Sequence, residues 1–292
     1  MSTNKSLFKT PELAKRYLEA YDSVLDLWNV PHEALDVHTS FGTTHINSAG
    51  PKEKPVLLLL PGFGANSTMW FPNVATLSNQ FRVLAIDTIG QPGRSIPDPN
   101  QPLLASNSFE WISEVLDHLG LVKAHLAGVS LGGWLALNFA IHCPQRTDRV
   151  VMLDPAASFS GMSAAFMWHS LIPFMICPTR AGLINYFRWM TKGYRVEEKW
   201  GELMILGILN THPQPPVRAT AFSESDLRSV RAPVMVLIGE CSVIYDPRRT
   251  HQRAASLIPH AQTEIIPEAS HALIAEKPEI VNERMLKFLA EG

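Results

Sequence analysis

One short stretch near the middle of the chain constrains the fold more than any other. Residues 126–133 read Leu-Ala-Gly-Val-Ser-Leu-Gly-Gly, and helix-forming apolar residues follow them. Gly128 and Gly132 remove the Cβ atoms that would clash where the chain reverses. The pattern Gly-x-Ser-x-Gly is typical of a nucleophile elbow, a strained turn between a strand and a helix. It predicts that Ser130 points out of a sheet, beside the unpaired N–H groups of a helix N-terminus.

The surrounding sequence distinguishes such an elbow from an ordinary strand-to-helix turn, which also matches a five-residue pattern by chance. Runs of strand length recur along the chain, and helical patterns separate most of them. Eight strands are predicted, at residues 36–41, 43–47, 56–60, 83–86, 124–127, 149–153, 234–238 and 263–266. Helices are predicted at residues 11–28, 109–119 and 278–289. This alternation predicts a mostly parallel eight-stranded sheet flanked by helices, which binds ligands at the carboxyl edge of its strands.

The alternation stops between the sixth and the seventh predicted strand. Residues 155–228 contain no strand pattern and are rich in Met, Trp and Phe. Because the segment follows a strand at the carboxyl edge of the sheet, we expect it to form a helical cap over that edge. The predicted organisation is therefore an α/β core of residues 1–154 and 229–292, with a cap of residues 155–228 inserted after the sixth strand.

Composition excludes several classes of protein. Hydrophobic residues make up 46% of the chain and charged residues 18%, which is typical of a globular protein with a large core. The 25 basic and 27 acidic residues give a formal charge of −2, which favours neither a nucleic acid nor an anionic membrane as a partner. The apolar run at residues 164–176 contains His169 and Pro173, and it is too short to span a bilayer.

The cysteines and the amino terminus favour a cytoplasmic protein. Cys143, Cys177 and Cys241 form an odd, sparse set without Cys-x-x-Cys spacing, as expected for free thiols in a reducing compartment. Residues 1–6 lack the apolar core of a signal peptide. The oligomeric state stays open, and a homodimer is a hypothesis.

Several short fragments occur together in a specific order, although each of them alone is weak. They are Leu60-Pro61-Gly62-Phe63, Thr68-Met69-Trp70, Asp87 with Gly90 and Ser95, the elbow, Gly239-Glu240, Val243-Ile244-Tyr245-Asp246-Pro247 and Ser270-His271. In this order the chain resembles the α/β-hydrolase superfamily over essentially its whole length, and within it the bacterial carboxylesterases of the naproxen-esterase type. The resemblance implies the α/β-hydrolase fold and hydrolysis by a serine nucleophile.

A serine hydroxyl needs a base within hydrogen-bonding reach, because it is a poor nucleophile at neutral pH. Of the 11 histidines, His271 alone follows the last predicted strand after a short loop, residues 267–270. In a parallel sheet that loop opens on the same edge as the elbow. We therefore predict that Ser130 is the nucleophile and that His271 is its base.

The tetrahedral intermediate of acyl transfer needs two backbone N–H donors for its oxyanion. The residue after the nucleophile, Leu131, is expected to supply one, and the resemblance assigns the other to Phe63. Similar proteins carry His-Gly before that residue, whereas this chain carries Pro61-Gly62. Because proline lacks the side chain that braces this loop in similar proteins, the sequence does not establish the geometry of the loop.

The acidic member of the triad departs from the pattern of similar proteins. They carry Asp or Glu at the position that Ser242 occupies here, and a serine cannot supply the charge that stabilises an imidazolium. Haloalkane dehalogenases and pancreatic-type lipases, which resemble this architecture, place their acid at the strand end where Asp154 lies. We favour Asp154 over Glu240 and over Asp246, which is a good helix N-cap before Pro247. A Ser130–His271 dyad assisted by water or Ser242 remains the alternative.

The nucleophile and the cap limit which substrates are possible. A serine argues against dehalogenase and epoxide-hydrolase chemistry, both of which need a carboxylate nucleophile, and it leaves hydrolysis of esters, thioesters, amides or carbon–carbon bonds beside a ketone. The apolar residues of the cap predict an adaptable apolar cavity, with Phe166 and Met167 as substrate contacts together with Trp134. Packing of helices on the core is the alternative explanation of such residues, and for Trp134, four residues after Ser130, it means packing behind the elbow.

These observations predict a serine carboxylesterase that acts on small to medium apolar esters through an acyl-enzyme, without a metal or an organic cofactor. Its expected partner is a small-molecule ester. Two alternatives remain open: a carbon–carbon bond hydrolase of the same fold, and a ligand-binding or sensory protein whose triad has decayed. Ser242 and Pro61 motivate the second alternative.

Overall fold

The structure is a computed structural model that describes residues 7–212 and 217–291. The expectation that residues 1–6 carry no signal peptide lies outside the described residues, as do residues 213–216 of the predicted cap. No helix in the described ranges is long and apolar enough to cross a membrane.

The described residues form nine strands and eleven α-helices. The strands are β1 (His32–Thr39), β2 (Gly42–Ala49), β3 (Val56–Leu60), β4 (Arg82–Ile86), β5 (Ile96–Pro97), β6 (Ala124–Val129), β7 (Thr147–Leu153), β8 (Val234–Gly239) and β9 (Gln262–Ile266). The helices are α1 (Pro11–Leu25), α2 (Val74–Leu77), α3 (Ser108–His118), α4 (Leu131–His142), α5 (Ala164–Ser170), α6 (Arg180–Met190), α7 (Glu198–Asn210), α8 (Glu224–Ser229), α9 (Pro247–Leu257), α10 (Leu273–Glu276) and α11 (Pro278–Leu289).

A single twisted sheet organises the molecule. Its strand order is β1-β2-β4-β3-β6-β7-β8-β9, and β5 pairs with β2 off this path. The pairs from β4 across to β9 are parallel, whereas β2 pairs antiparallel with β1, β4 and β5. The prediction of eight strands is therefore wrong by one. The additional strand, Ile96–Pro97, is too short to show any periodicity, and its proline lacks a backbone N–H for a second partner.

The central strands are apolar throughout because helices cover both faces of the sheet. Along β3, Leu58 and Leu60 face one core while Leu57 and Leu59 face the other, with the two-residue period of a strand. Helices α3 and α4 cover the first face, and α2 and α11 cover the second. Each strand end at the carboxyl edge is thereby held rigidly, which is what a site on that edge requires.

The amino-terminal helix begins as its sequence predicts. The Thr10 hydroxyl accepts a hydrogen bond from the Leu13 N–H at 3.3 Å, and Pro11 occupies the first turn. The α-helix ends at Leu25, and a 3₁₀ turn over Asp26–Trp28 completes the predicted span.

Two buried tyrosines fasten α1 to the core. The Asn66 amide donates to the Tyr17 hydroxyl at 2.8 Å, and the Tyr21 hydroxyl donates to Asp87 Oδ1 at 3.2 Å. Burial and the nearby Asp87 carboxylate raise the pKa of both tyrosines well above the usual value, so both hydroxyls stay protonated. The helix is therefore joined by polar contacts to the segments that follow β3 and β4.

All regular elements that the structure describes between β7 and β8 are helical. They comprise α5, a π-helical segment over Leu171–Ile176, α6, α7 and α8. Helix α7 packs against α1 through Leu203, Leu206, Tyr17 and Tyr21, which share one apolar cluster. The inserted helices are thus tied to the amino-terminal helix as well as to the sheet.

Candidate active site

Ser130 occupies a strained position between β6 and α4. Its backbone dihedrals are φ 54° and ψ −115°, a region that residues other than glycine rarely adopt. The surrounding structure holds it there: the Ser130 N–H donates to the Leu153 carbonyl at 3.0 Å, and its own carbonyl accepts from the Ala156 N–H at 3.1 Å. Leu153 is the last residue of β7 and Ala156 lies in the segment that follows it, so the neighbouring strand and its continuation hold the turn.

The two glycines of the elbow are required by close contacts. A Cβ on Gly128 would lie 2.1 Å from the Gly132 carbonyl carbon, and a Cβ on Gly132 would lie 2.1 Å from the Leu60 carbonyl oxygen. These atoms belong to the backbone, so the clash could not be relieved by rotating a side chain. Glycine is therefore required at both positions of the Gly-x-Ser-x-Gly pattern, and the close backbone packing that it allows places Ser130 at the carboxyl edge of the sheet.

His271 and Asp154 meet although 117 positions separate them in the sequence. Asp154 is fully buried at the end of β7, and His271 lies in the loop that follows β9. The His271 Nδ1 atom lies 2.5 Å from Asp154 Oδ2. A carboxylate at this distance accepts the Nδ1 proton, which leaves Nε2 as the basic nitrogen of a neutral imidazole.

Asp154 accepts three further hydrogen bonds. The Gly239 N–H and the Tyr245 hydroxyl donate to Oδ1 at 3.0 and 2.6 Å, and the Ser242 hydroxyl donates to Oδ2 at 2.6 Å. Burial and the adjacent carboxylate raise the pKa of Tyr245 well above its usual value, so its hydroxyl remains a donor. These donors stabilise a buried carboxylate that has His271 as its only basic neighbour within bonding distance among the described residues.

The other carboxylates considered from the sequence lie elsewhere. Glu240 accepts a hydrogen bond from the Glu268 N–H at 3.0 Å. Asp246 caps α9 and accepts from the Arg249 N–H at 3.0 Å. Ser242, at the position that carries the acid in similar proteins, donates to Asp154 instead. Tyr245 was missed by sequence reasoning, because nothing in the pattern of residues 243–247 indicates where its hydroxyl points.

The loop after β3 passes directly over the nucleophile. A Cβ on Gly62 would lie 3.5 Å from the Ser130 Cβ, and the Ala65 N–H donates to the Gly62 carbonyl at 3.1 Å to close a tight turn. Phe63 lies within that turn. Leu131 is the first residue of α4, where helix N–H groups have no partner within the helix. Both predicted oxyanion donors therefore belong to segments that border Ser130.

A cavity at the carboxyl edge contains both Ser130 and His271 in its lining. The core contributes Gly62, Phe63, Ala65, Met69, Phe71, Val129, Ala272, Ile274 and Ala275, and the inserted helices contribute Phe166, Phe174, Tyr186, Phe187, Met190, Thr191, Val196, Trp200, Gly201, Met204 and Ile208. Of these described residues none carries an ionic side chain at neutral pH, apart from the titratable His271. The cavity thus presents an apolar surface to whatever approaches the serine.

Two of the three predicted substrate contacts do not line this cavity, and the expectation is corrected for them. Trp134 is buried, its ring stacks on Phe222 at 5.1 Å and its Nε1–H donates to the Thr220 carbonyl at 2.8 Å. Met167 is 59% exposed on the outside of α5. Phe166, the neighbouring residue, does line the cavity. Helix α4 is buried on nearly all sides, so its sequence does not indicate which way Trp134 points.

A comparison with models of protein families matches residues 57–284 to the model described as the alpha/beta hydrolase family. The chain belongs to the alpha/beta hydrolase family. The resemblance inferred from the order of the sequence motifs is thereby confirmed, and so is the fold class of a mostly parallel sheet flanked by helices.

Relatives of this hydrolase are similar to it over nearly its whole length. Carboxylesterase YbfK of Bacillus subtilis (strain 168) is 36% identical over 292 residues, which cover 98% of this chain and 97% of the relative. The crystal structure of carboxylesterase CesB (YbfK) from the same species has a TM-score of 0.90 at 35% identity, covering 96% of this chain and 99% of that one. Naproxen esterase (carboxylesterase NP) from Bacillus subtilis has a TM-score of 0.90 at 32% identity, with the same coverage.

Proposed function

We propose that this hydrolase is a serine carboxylesterase that cleaves small to medium apolar esters through an acyl-enzyme on Ser130. One observation carries the proposal: the histidine that contacts a buried carboxylate at 2.5 Å lines the same cavity as the serine of the elbow. A neutral imidazole oriented in this way is the base that a serine nucleophile requires. The relatives named carboxylesterases support the same reaction class.

The reaction follows from the roles of these three side chains. Nε2 of His271 accepts the Ser130 hydroxyl proton as Oγ attacks the ester carbonyl, and the same nitrogen then protonates the departing alkoxide. Water repeats the two transfers on the acyl-enzyme and releases the carboxylic acid. Asp154 holds the Nδ1–H tautomer throughout and stabilises the imidazolium that forms after each proton abstraction.

The oxyanion of each tetrahedral intermediate is stabilised by the backbone N–H groups of Leu131 and Phe63. Leu131 lies at the positive end of the α4 dipole, which favours negative charge. A Cβ on Gly62 would lie 3.5 Å from the Ser130 Cβ, so the loop that carries Phe63 runs close to the nucleophile.

The cavity lining supports uncharged apolar substrates. Aromatic side chains from the inserted helices, including Phe166, Phe174 and Phe187, surround the serine and offer no group that pairs with a charged substrate. We accordingly expect simple alkyl and aryl esters to be hydrolysed, and esters of dicarboxylic acids that keep one free carboxylate to be rejected.

We also propose a cytoplasmic location and a homodimeric assembly. The three cysteines are free thiols, which is typical of the cytoplasm. A homodimer is a working hypothesis that light scattering of the purified protein tests.

The function is tested with a fluorophosphonate probe and p-nitrophenyl esters. We expect the wild-type protein to be labelled, and Ser130→Ala to lose both the label and at least ~10⁴-fold in kcat/KM. Ser225→Ala, at an exposed serine on α8, is the matched control and retains both. Absence of labelling in the wild type, or equal labelling of Ser130→Ala, refutes the proposal.

A ligand-binding protein with a decayed triad is less well supported. Ser242 and Pro61 were the residues that suggested it. Ser242, however, donates a hydrogen bond to Asp154, the carboxylate that contacts His271. No observation favours a carbon–carbon bond hydrolase over an esterase.

A further inference from the structure

The loop that carries Phe63 is held by a glutamine from a different segment. The Gly64 N–H donates to Gln91 Oε1 at 2.8 Å, and Gln91 is only 6% exposed. This bond fixes the peptide unit between Phe63 and Gly64, which directly follows the unit that bears the Phe63 N–H. The chain carries Pro61 in front of this loop and therefore has no side-chain donor or acceptor at that position.

Gln91 lies in the segment that follows β4, which three internal hydrogen bonds hold in place. The Gln91 N–H donates to the Thr88 carbonyl at 3.0 Å, the Arg94 N–H donates to Asp87 Oδ2 at 2.7 Å, and the Ser95 hydroxyl donates to the Asp87 carbonyl at 2.6 Å. The segment after β4, residues 87–95, is therefore held rigidly, and we call it the platform. The Gln91 side chain extends from the platform to the neighbouring loop.

The same carboxylate also anchors the far end of the loop over the nucleophile. Asp87 Oδ1 accepts the Ser67 N–H at 2.8 Å and the Ser67 hydroxyl at 2.6 Å. The loop is thus held at Gly64 by Gln91 and at Ser67 by Asp87. Both holding groups come from the segment after β4.

Helix α7 packs against this platform and against the loop at once. A Cβ on Gly207 would lie 2.8 Å from Pro92 Cβ, so the helix touches the residue next to Gln91 without room for a methyl group. A Cβ on Gly64 would lie 3.7 Å from Met204 Cε and 3.9 Å from Ile208 Cγ1. Helix α7 therefore lies against Pro92, the residue after Gln91, and its Met204 and Ile208 side chains lie close to Gly64.

We propose that Gln91 is the positioning residue of the oxyanion hole, and that α7 keeps it in place by packing on Pro92 through Gly207. The inference rests on the proposed function, because the Phe63 N–H matters to catalysis only if an oxyanion forms. A preorganised donor loses most of its effect when displaced by about 1 Å. Removing the Gln91 acceptor also leaves the buried Gly64 N–H without a partner, which drives the loop to rotate that peptide towards water.

The test separates stabilisation of the transition state from substrate binding. In Gln91→Leu we expect kcat for a p-nitrophenyl ester to fall about 10- to 100-fold with KM within about threefold. Affinity for a trifluoromethyl ketone, which forms an oxyanion on Ser130, falls in parallel with kcat. Affinity for the corresponding alcohol, which forms none, stays unchanged. Gln101→Leu, at an exposed position, is the matched control and leaves all four quantities unchanged.

A second variant, on helix α7, tests the Gln91–Gly64 hydrogen bond indirectly. Gly207→Ala places a methyl group against Pro92, and we expect kcat to fall about 3- to 10-fold while the affinity for the alcohol is retained. Gly207 does not line the cavity, so a direct effect on substrate contact is not expected. Gly161→Ala, where a Cβ would meet nothing within 4 Å, is its control.

The outcomes distinguish this inference from the proposed function. Failure of the wild type to react with a fluorophosphonate overturns the proposed function. A labelled and active wild type whose Gln91→Leu variant keeps kcat and trifluoromethyl ketone affinity overturns the inference alone. If Gln91→Leu does not fold, Gly207→Ala decides: wild-type kcat and ketone affinity overturn the inference, and a selective loss of both supports it.

Discussion

The substitution Asp154→Asn replaces one carboxylate oxygen with an NH₂ group, and the surrounding hydrogen bonds determine which way the new amide faces. Oδ1 of Asp154 accepts the Gly239 N–H at 3.0 Å, and Oδ2 is the oxygen nearest His271 Nδ1, at 2.5 Å. A backbone N–H cannot turn away, whereas the Ser242 and Tyr245 hydroxyls can rotate. The asparagine therefore keeps its carbonyl oxygen towards Gly239 and directs its NH₂ group at His271.

An NH₂ group in that place forces the imidazole to carry its proton on Nε2, so the ring no longer accepts the proton of Ser130. We expect kcat/KM for a p-nitrophenyl ester to fall by ~10⁴-fold, the loss that a wrong tautomer causes in other serine triads. This corresponds to about 5.4 kcal/mol of transition-state stabilisation, at 1.36 kcal/mol for each factor of ten. Thermal unfolding of the variant checks that the protein is folded, since asparagine tolerates the φ of 44° at this position.

Asp246→Asn is the matched control for this experiment. Asp246 caps α9, and asparagine is an equally good N-cap, so kcat/KM is expected to change by less than about twofold. The reasoning is refuted if Asp154→Asn keeps more than about a tenth of the wild-type kcat/KM, or if Asp246→Asn loses as much as Asp154→Asn.

Three further predictions concern the surroundings of the site and the base of the sheet. Tyr245→Phe removes a buried donor to Asp154, and we expect the free energy of unfolding in urea to fall by about 1–3 kcal/mol and kcat by about tenfold; unchanged values contradict this role. In Asp154→Gly, adding Ser242→Asp is expected to raise kcat at least about tenfold, because the Ser242 hydroxyl lies 2.6 Å from the oxygen that contacts His271; no gain counts against it. Burial lowers the pKa of His125, so the unfolded chain binds a proton that the folded chain does not, and stability falls as the pH drops below about 6.5. His125→Gln should reduce the difference in unfolding free energy between pH 7.5 and pH 5, and an unaltered difference speaks against this account.

The sheet and the elbow were predictable because local rules determine them. Continuous apolar runs indicate strands buried on both faces, and β3 and β8 are such strands. The glycines around Ser130 reflect backbone contacts that any chain making this turn must accommodate. The position of His271 was inferred from topology, since loops at the carboxyl ends of parallel strands share one edge, and Ser270-His271 is also one of the fragments that carry the family resemblance.

The rest of the site depends on side-chain directions that no short pattern encodes. Tyr245 and Gln91 act through hydrogen bonds to residues far away in the sequence, and only the packed structure brings them there. The sequence could not decide whether Trp134 faces the cavity or the core, because α4 is apolar all round and hydrophobic periodicity therefore has no preferred face. The catalytic roles of Ser130, His271 and Asp154 stay predictions until the variants are measured.

The amino-terminal helix has a practical consequence for protein engineering. It lies outside residues 57–284, the segment that matches the family model, yet Tyr17 and Tyr21 bond to the segments that follow β3 and β4. A recombinant fragment trimmed to the family boundary would leave Asn66 and Asp87 without these partners at the base of the loop over the serine. Chimeras and minimal versions of this hydrolase therefore need residues 7–25 as an integral part of the catalytic unit.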